Sequence, residues 1–105
     1  MNSRVNKTIN LEYIKKILEE HKSELKKKYN IKEIGIFGSY ARNEINTESD
    51  IDILIDFKDD GKTFDNYIEL KLYLEALLQN KVDLVMKGAL KKSLKKRILQ
   101  EVIYV

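Results

Sequence analysis

From Gly38 to Phe57 the chain reads Gly-Ser-Tyr-Ala-Arg-Asn-Glu-Ile-Asn-Thr-Glu-Ser-Asp-Ile-Asp-Ile-Leu-Ile-Asp-Phe. A Gly38-Ser39 turn closes one apolar run, and after ten intervening residues Asp50 and Asp52 open the next. Alternate side chains of a strand share a face, so Asp50 and Asp52 are expected to project together, about 6–7 Å apart along the strand. Ile51, Ile53, Ile55 and Phe57 then turn the other way, into a core. Two adjacent carboxylates repel each other and are costly unless a cation stands between them. The cation suited to an oxygen-only setting is Mg²⁺, held by one or two carboxylates together with substrate phosphates. The Gly-Ser turn supplies the complementary half. A small turn residue lets backbone N–H groups approach a phosphate, and the hydroxyl adds a donor. Composition and spacing together point to metal-assisted phosphoryl or nucleotidyl transfer.

These groups must be positioned by an alternating set of elements. Leu11, Ile14, Leu18 and Leu25 recur at helical spacing behind a cap at Asn10 or Thr8, which predicts a helix over 11–28 ended by Tyr29-Asn30. Residues 31–37 read as a strand, Ser39 to Asn43 as a short helix, and 50–57 as a second strand. Asp59-Asp60-Gly61 is a turn. Thr63 caps a third helix running to about Gln79, supported by Asp65 in its first turn. Residues 81–85 form a third strand. Leu90, Leu94, Ile98 and Val102 stand four apart and mark a last helix, followed by a terminal strand or tail over 103–105. The order predicts an α/β (α+β) domain, a small mixed sheet flanked by helices.

Asp83 lies within the apolar run Val82-Asp83-Leu84-Val85, where a carboxylate is expensive to bury unless it is paired or binds a metal. If its strand neighbours the second one, Asp83 joins Asp50 and Asp52 on one face; the alternative is an Asp in water at a sheet edge. Arg42, one turn into the short helix, is placed to reach a triphosphate as a planar multi-donor cation, or to pair with Glu44 or Glu48 at the surface. Asp56 shares the parity of the pair but lies about 13 Å further along, and reads as a strand-end turn residue. His21, between Leu18 and Leu25, reads as structural. Tyr40 suits either stacking on a base or packing.

The motif also carries a resemblance. Gly38-Ser39, ten residues, then Asp50-Ile51-Asp52 is similar to the signature of the DNA polymerase β-type nucleotidyltransferase superfamily. With Ala41-Arg42 and Ser49-Asp50, the string resembles the minimal nucleotidyltransferase (MNT) branch, over roughly residues 31–85. Asn43 stands where many relatives carry Gly, and Asn tolerates the left-handed backbone better than most residues. The resemblance implies a polymerase β palm-like fold with Asp83 as the third catalytic carboxylate. It implies two Mg²⁺ ions at Asp50, Asp52 and Asp83, with Gly38, Ser39 and Arg42 on the phosphates of ATP. It also implies an antitoxin whose partner is a HEPN-domain ribonuclease toxin, silenced by transfer of AMP to a tyrosine hydroxyl. Two alternatives stay open: an antitoxin that neutralises by docking alone, and a nucleotidyltransferase acting on RNA or a small molecule.

Composition sets the outer bounds. The 105 residues suit one domain with a modest core. Cys is absent and His occurs once, which excludes a disulfide framework and a Cys- or His-rich metal site. No apolar run approaches the ~18 residues that span a bilayer, and residues 1–12 lack the apolar stretch of a secretory signal, so a cytoplasmic protein is expected. The net charge of +3 is unevenly laid out: residues 33–83 hold 12 acids and 5 bases, whereas the flanks hold 15 bases and 5 acids. An acidic centre suits a metal, and basic flanks suit a polyanion such as a nucleoside triphosphate, with nucleic acid less favoured. The six basic residues from Lys87 to Arg97, unbroken by an acid, read first as a solvated helix face. The third helix carries more apolar positions than one stripe needs, Phe64, Ile68, Leu72 and Tyr73 among them, which suits a protein partner and a hetero-oligomer.

Overall fold

The computed structural model describes residues 9–44 and 49–105. Helix α1 spans Leu11–Lys28; the side chain of Asn10 caps it by accepting a hydrogen bond from the Tyr13 N–H at 2.9 Å. The other candidate cap, Thr8, lies outside the described residues. Lys26, Lys27 and Lys28 complement the negative end of the helix dipole, and Asn30, with φ 54°, turns the chain into strand β1, Ile31–Phe37. A five-residue helix α2, Gly38–Arg42, ends at Asn43 in the left-handed region, φ 60°, so the residue that departs from Gly keeps the turn.

Strand β2 covers Ile51–Phe57, one residue shorter than expected, with Asp50 just ahead of it. A 3₁₀ turn over Asp59–Gly61 leads to α3, Phe64–Leu78, capped by the Thr63 side chain, which accepts from the Asn66 N–H. Strand β3 is Val82–Met86, one position later than the apolar run alone suggests. Helix α4 is Lys92–Glu101, and β4 is the short strand Ile103–Tyr104. The four strands lie in the order β3-β2-β1-β4, with β1 antiparallel to β2 and β4, and β2 parallel to β3. This is the mixed sheet flanked by helices that the element order implies.

The two faces of the sheet are covered differently. Ile34 and Ile36 of β1, Ile51, Ile53 and Ile55 of β2, and Val82 and Leu84 of β3 pack against Ile14, Leu18 and Leu25 of α1 and Leu70, Leu74 and Leu78 of α3. A fully buried Leu or Ile contributes about 1.5–3 kcal/mol, so this layer carries most of the stability. The opposite face is covered by α4, where Phe37, Leu54 and Ile98 form a second, smaller core. Leu54 is 1% exposed although it shares the parity of Asp52.

Helix α4 corrects the expected stripe. Leu90 and Val102 flank the helix, Leu94 is 43% exposed, and Ile98 alone is buried among its residues. On α3, by contrast, the expected surplus is present at Phe64, Leu72 and in part Ile68, whereas Tyr73 packs against the main core. Phe64 is 76% and Leu72 60% exposed, and with half-exposed Ile68 they form one stripe at i, i+4 and i+8. Among the described residues no helix is long and apolar enough to cross a membrane.

Urea unfolding should separate the two apolar residues of α4. Ile98→Ala is expected to cost about 2–4 kcal/mol and Leu94→Ala less than about 1 kcal/mol. Equal losses would mean that the helix packs through its Leu94 side.

Candidate active site

The sheet register brings the acidic motif into one row. Asp52 of β2 stands opposite Phe37, the last residue of β1, and opposite Asp83 of β3 on its other side. Aligned residues on neighbouring strands are about 5 Å apart and share a face, so Asp52 and Asp83 form a carboxylate pair on the α4 face. Val82 and Leu84 are buried and Asp83 is exposed, as strand parity requires. Asp50 is exposed at the mouth of β2.

Gly38 follows Phe37 directly, in the same row. Its φ is +75°, and a Cβ built there would lie 1.9 Å from Oδ2 of Asp52. Both the backbone angle and the space therefore require glycine. The motif's Gly and its second Asp are thus in contact, and this explains in steric terms why the two occur together. Ser39, half-buried, is the next residue of α2.

Asp52 is the electrostatic centre of the group. Its pKa is raised to about 6, first because burial removes water from the charged form. The charge of Asp83, a hydrogen bond shared with Asp83 and the charge of Asp50 add to the rise, and Arg42 opposes it. Below about pH 6 a proton on Asp52, hydrogen-bonded to Asp83, relieves this repulsion.

The donor set tests which cation suits the row. Three carboxylates with no sulfur or imidazole suit a hard divalent ion such as Mg²⁺. Among the described residues no three of these side chains close into a ready-made cage. Asp83 acts on Asp52 through both charge and a hydrogen bond, and Asp50 through charge alone. The residues fit the ion in chemistry.

Arg42 is not free. Its Nε donates to Oε1 of Glu44 at 2.9 Å, and its Nη1 donates to both oxygens of Glu101 at 3.1 Å. Hydrogen bonds to Glu44 first and to Glu101 second raise its pKa further. The Glu44 pairing is one of the two surface pairings the sequence suggests; Glu48 lies outside the described residues. Glu101 is the residue that sequence reasoning misses. It stands one turn beyond Ile98 on the same face of α4, and it also accepts a 2.7 Å hydrogen bond from the Gly38 N–H. The available signal is that spacing from Ile98, together with its place as the first acid after the basic run.

The remaining candidates fall outside the row. Tyr40 is 3% exposed within the main core, which decides for packing over base stacking. The His21 Nδ1–H donates to the Ile17 carbonyl within α1, a structural bond. Asp56 lies inside β2 rather than in a turn, opposite Glu33, and lines a shallow hollow of about 260 Å³ with Lys62 and Met86. That hollow lies at the far end of β2 from Asp52 and has no part in the row.

Residues 18–105 match the nucleotidyltransferase domain. The chain belongs to that family. This nucleotidyltransferase is 50% identical over 97 residues to the protein adenylyltransferase MntA of Thermococcus cleftensis, covering 92% of the present chain and 97% of that relative. A solved structure assigned as a minimal nucleotidyltransferase superposes with a TM-score of 0.79 at 34% identity, over 93% of this chain and 98% of that one. A crystal structure of a toxin–antitoxin with AMP-PNP matches with a TM-score of 0.67 at 25% identity, over 82% of this chain and 70% of that one. The palm-like mixed sheet expected from the motif is thus the fold of solved members.

Two outcomes follow for the nucleotidyltransferase in the absence of metal. Between pH 4 and 6 the folded protein holds a proton on Asp52 that the unfolded chain has released, so stability falls as pH rises through this window and levels off above about 6. Asp52→Asn removes this loss. Melting temperatures measured across pH are expected to show it stabilised above pH 6, by about 1 kcal/mol given the solvent access of the group, and unchanged near pH 4. Gly38→Ala forces both a disfavoured φ and an overlap with Asp52, and is expected to cost about 2 kcal/mol or more in the same melts.

Proposed function

We propose that this chain is a protein adenylyltransferase that moves AMP from ATP to a hydroxyl, a tyrosine in the reading favoured here, of a partner HEPN-domain ribonuclease toxin. It thereby acts as a cytoplasmic antitoxin, built as a single minimal nucleotidyltransferase domain over residues 1–105. The observation that carries the reading is the row Gly38–Asp52–Asp83, in a chain half identical to a protein adenylyltransferase over nearly its whole length. Toxin–antitoxin assembly around a nucleotide analogue in a solved relative supports the partner and the substrate class. Exposed Phe64 and Leu72, with half-buried Ile68 between them, give a partner protein apolar surface to bury.

The roles divide by position. The Gly38 N–H, Ser39 and Arg42 bind the β- and γ-phosphates, Arg42 through its planar fork. Asp50, Asp52 and Asp83 would hold Mg²⁺, two ions in the full complement. When bound, the metal neutralises phosphate charge and lowers the pKa of the acceptor hydroxyl. That hydroxyl oxygen attacks the α-phosphorus, the bond from the α-phosphorus to the bridging oxygen breaks, and pyrophosphate leaves. Asp83, exposed beside Asp52, takes the acceptor's proton. Positioning and charge neutralisation supply most of the rate.

Intact mass spectrometry of a co-expressed helical partner, after incubation with this chain, ATP and Mg²⁺, tests the reading. One or more AMP units are expected on the partner. The variant Asp50→Ala with Asp52→Ala is expected to lower transfer by a factor of at least about 10³ while its far-ultraviolet dichroism stays unchanged. A stable complex with no mass gain would point to inhibition by docking. Neither complex nor mass gain would point to an RNA or small-molecule acceptor.

A further inference from the structure

The groups assigned above to phosphate already hold an anion. Oε2 of Glu101 accepts from the Gly38 N–H at 2.7 Å, and both oxygens of Glu101 accept from Nη1 of Arg42 at 3.1 Å. The Glu101 side chain is 16% exposed, whereas Arg42, at 43%, leaves its side of the contact open to water. A carboxylate presents two oxygens to a guanidinium much as a phosphate does, and each makes charge-assisted bonds with it.

Glu101 is also poorly placed in its own helix. It is the last residue of α4, where the dipole is negative, and no basic residue stands in that last turn. Its charge is therefore balanced from outside the helix, by Gly38 and Arg42. Such a contact is short, yet it can be exchanged for a better-charged anion.

We propose that Glu101 is an internal stand-in for the nucleotide's polyphosphate. It occupies Gly38 and Arg42 in the nucleotide-free protein, keeps them in their binding arrangement, and gives way when phosphate enters. The inference rests on the reading of Gly38 and Arg42 as phosphate-binding groups. Displacement outweighs any help from prearrangement, because a polyphosphate arriving beside an ionised Glu101 meets like charge as well as an occupied donor.

Calorimetric titration with AMP-PNP and Mg²⁺, paired with ATP kinetics on a partner protein, tests this on the full chain. Glu101→Gln is nearly isosteric and keeps an oxygen for the Gly38 N–H while removing the charge. It is expected to bind AMP-PNP about tenfold tighter, and to lower the KM for ATP by the same factor with kcat unchanged. Glu101→Asp, which keeps the charge but is too short to reach Gly38, is expected to gain less and serves if the Gln variant does not fold. Unchanged or weaker binding in both variants, beside normal binding and transfer by the parent, would overturn the stand-in and leave the proposed function intact. Arg42→Gln separates the two levels. A loss of AMP-PNP affinity supports the phosphate assignment, whereas unchanged affinity would overturn that assignment and the stand-in together.

Discussion

The structure turns on one crowded side chain. Asp52 has the Gly38 backbone against it on one side and Asp83 on the other, with Asp50 two residues before it in the chain. Like charges at this spacing are unfavourable, and the fold tolerates them only because two packed layers fix the strands that carry them. The α1 and α3 layer buries the odd-numbered apolar residues of β2, and Leu54 is pinned from the other side by Ile98. A strand anchored on both faces cannot shift register to separate its acids. The repulsion is therefore held at the site rather than relaxed by movement.

The same constraint accounts for the choice of residues around it. Gly38 has no side chain because Asp52 fills that space, and the free amide beside it then becomes a donor for an anion. Asp83 can stand in a strand of apolar residues because β3 lies at the edge of the sheet, with its odd position open to water. Positive charge on Arg42 and negative charge on the carboxylates face one another across a short distance, enough for Arg42 to lower the pKa of Asp52. An anion bound by Arg42 and a cation bound by the acids would thus be adjacent, the arrangement that a metal–nucleotide substrate presents.

Much of this was legible before any coordinates. The limits of α1 and β1 follow from apolar spacing and from Asn10, and the pairing of Asp83 with Asp52 follows from parity once β3 neighbours β2. What sequence periodicity does not disclose is contact between elements distant in the chain. Leu54 breaks the alternation of β2 because α4 crosses its outer face, and nothing in residues 51–57 announces that helix. Leu94 fits a helical stripe yet faces outward, because the short α4 reaches the sheet mainly at Ile98. Glu101 lies 63 residues from Gly38, so a rule based on local spacing has no means of joining them.

Helix α4 combines two opposed electrostatic tasks. Its exposed Lys92, Lys95, Lys96 and Arg97, with Lys91 ahead of it, lie on the element that packs over the face of the sheet bearing Asp52 and Asp83. These residues form the solvated basic face expected from the sequence; at ranges near a Debye length, about 8 Å in physiological salt, such charges would also draw a polyanion toward that face under the proposed function. At contact range the balance reverses: the polyanion meets the Asp cluster and the carboxylate of Glu101. On the proposed function, a bare triphosphate would be attracted from afar and repelled at the end, whereas one carrying its own divalent cations would be accepted at both stages. Selectivity for the metal-bound nucleotide then needs no dedicated recognition element; it arises because basic and acidic groups act at different distances along the same approach.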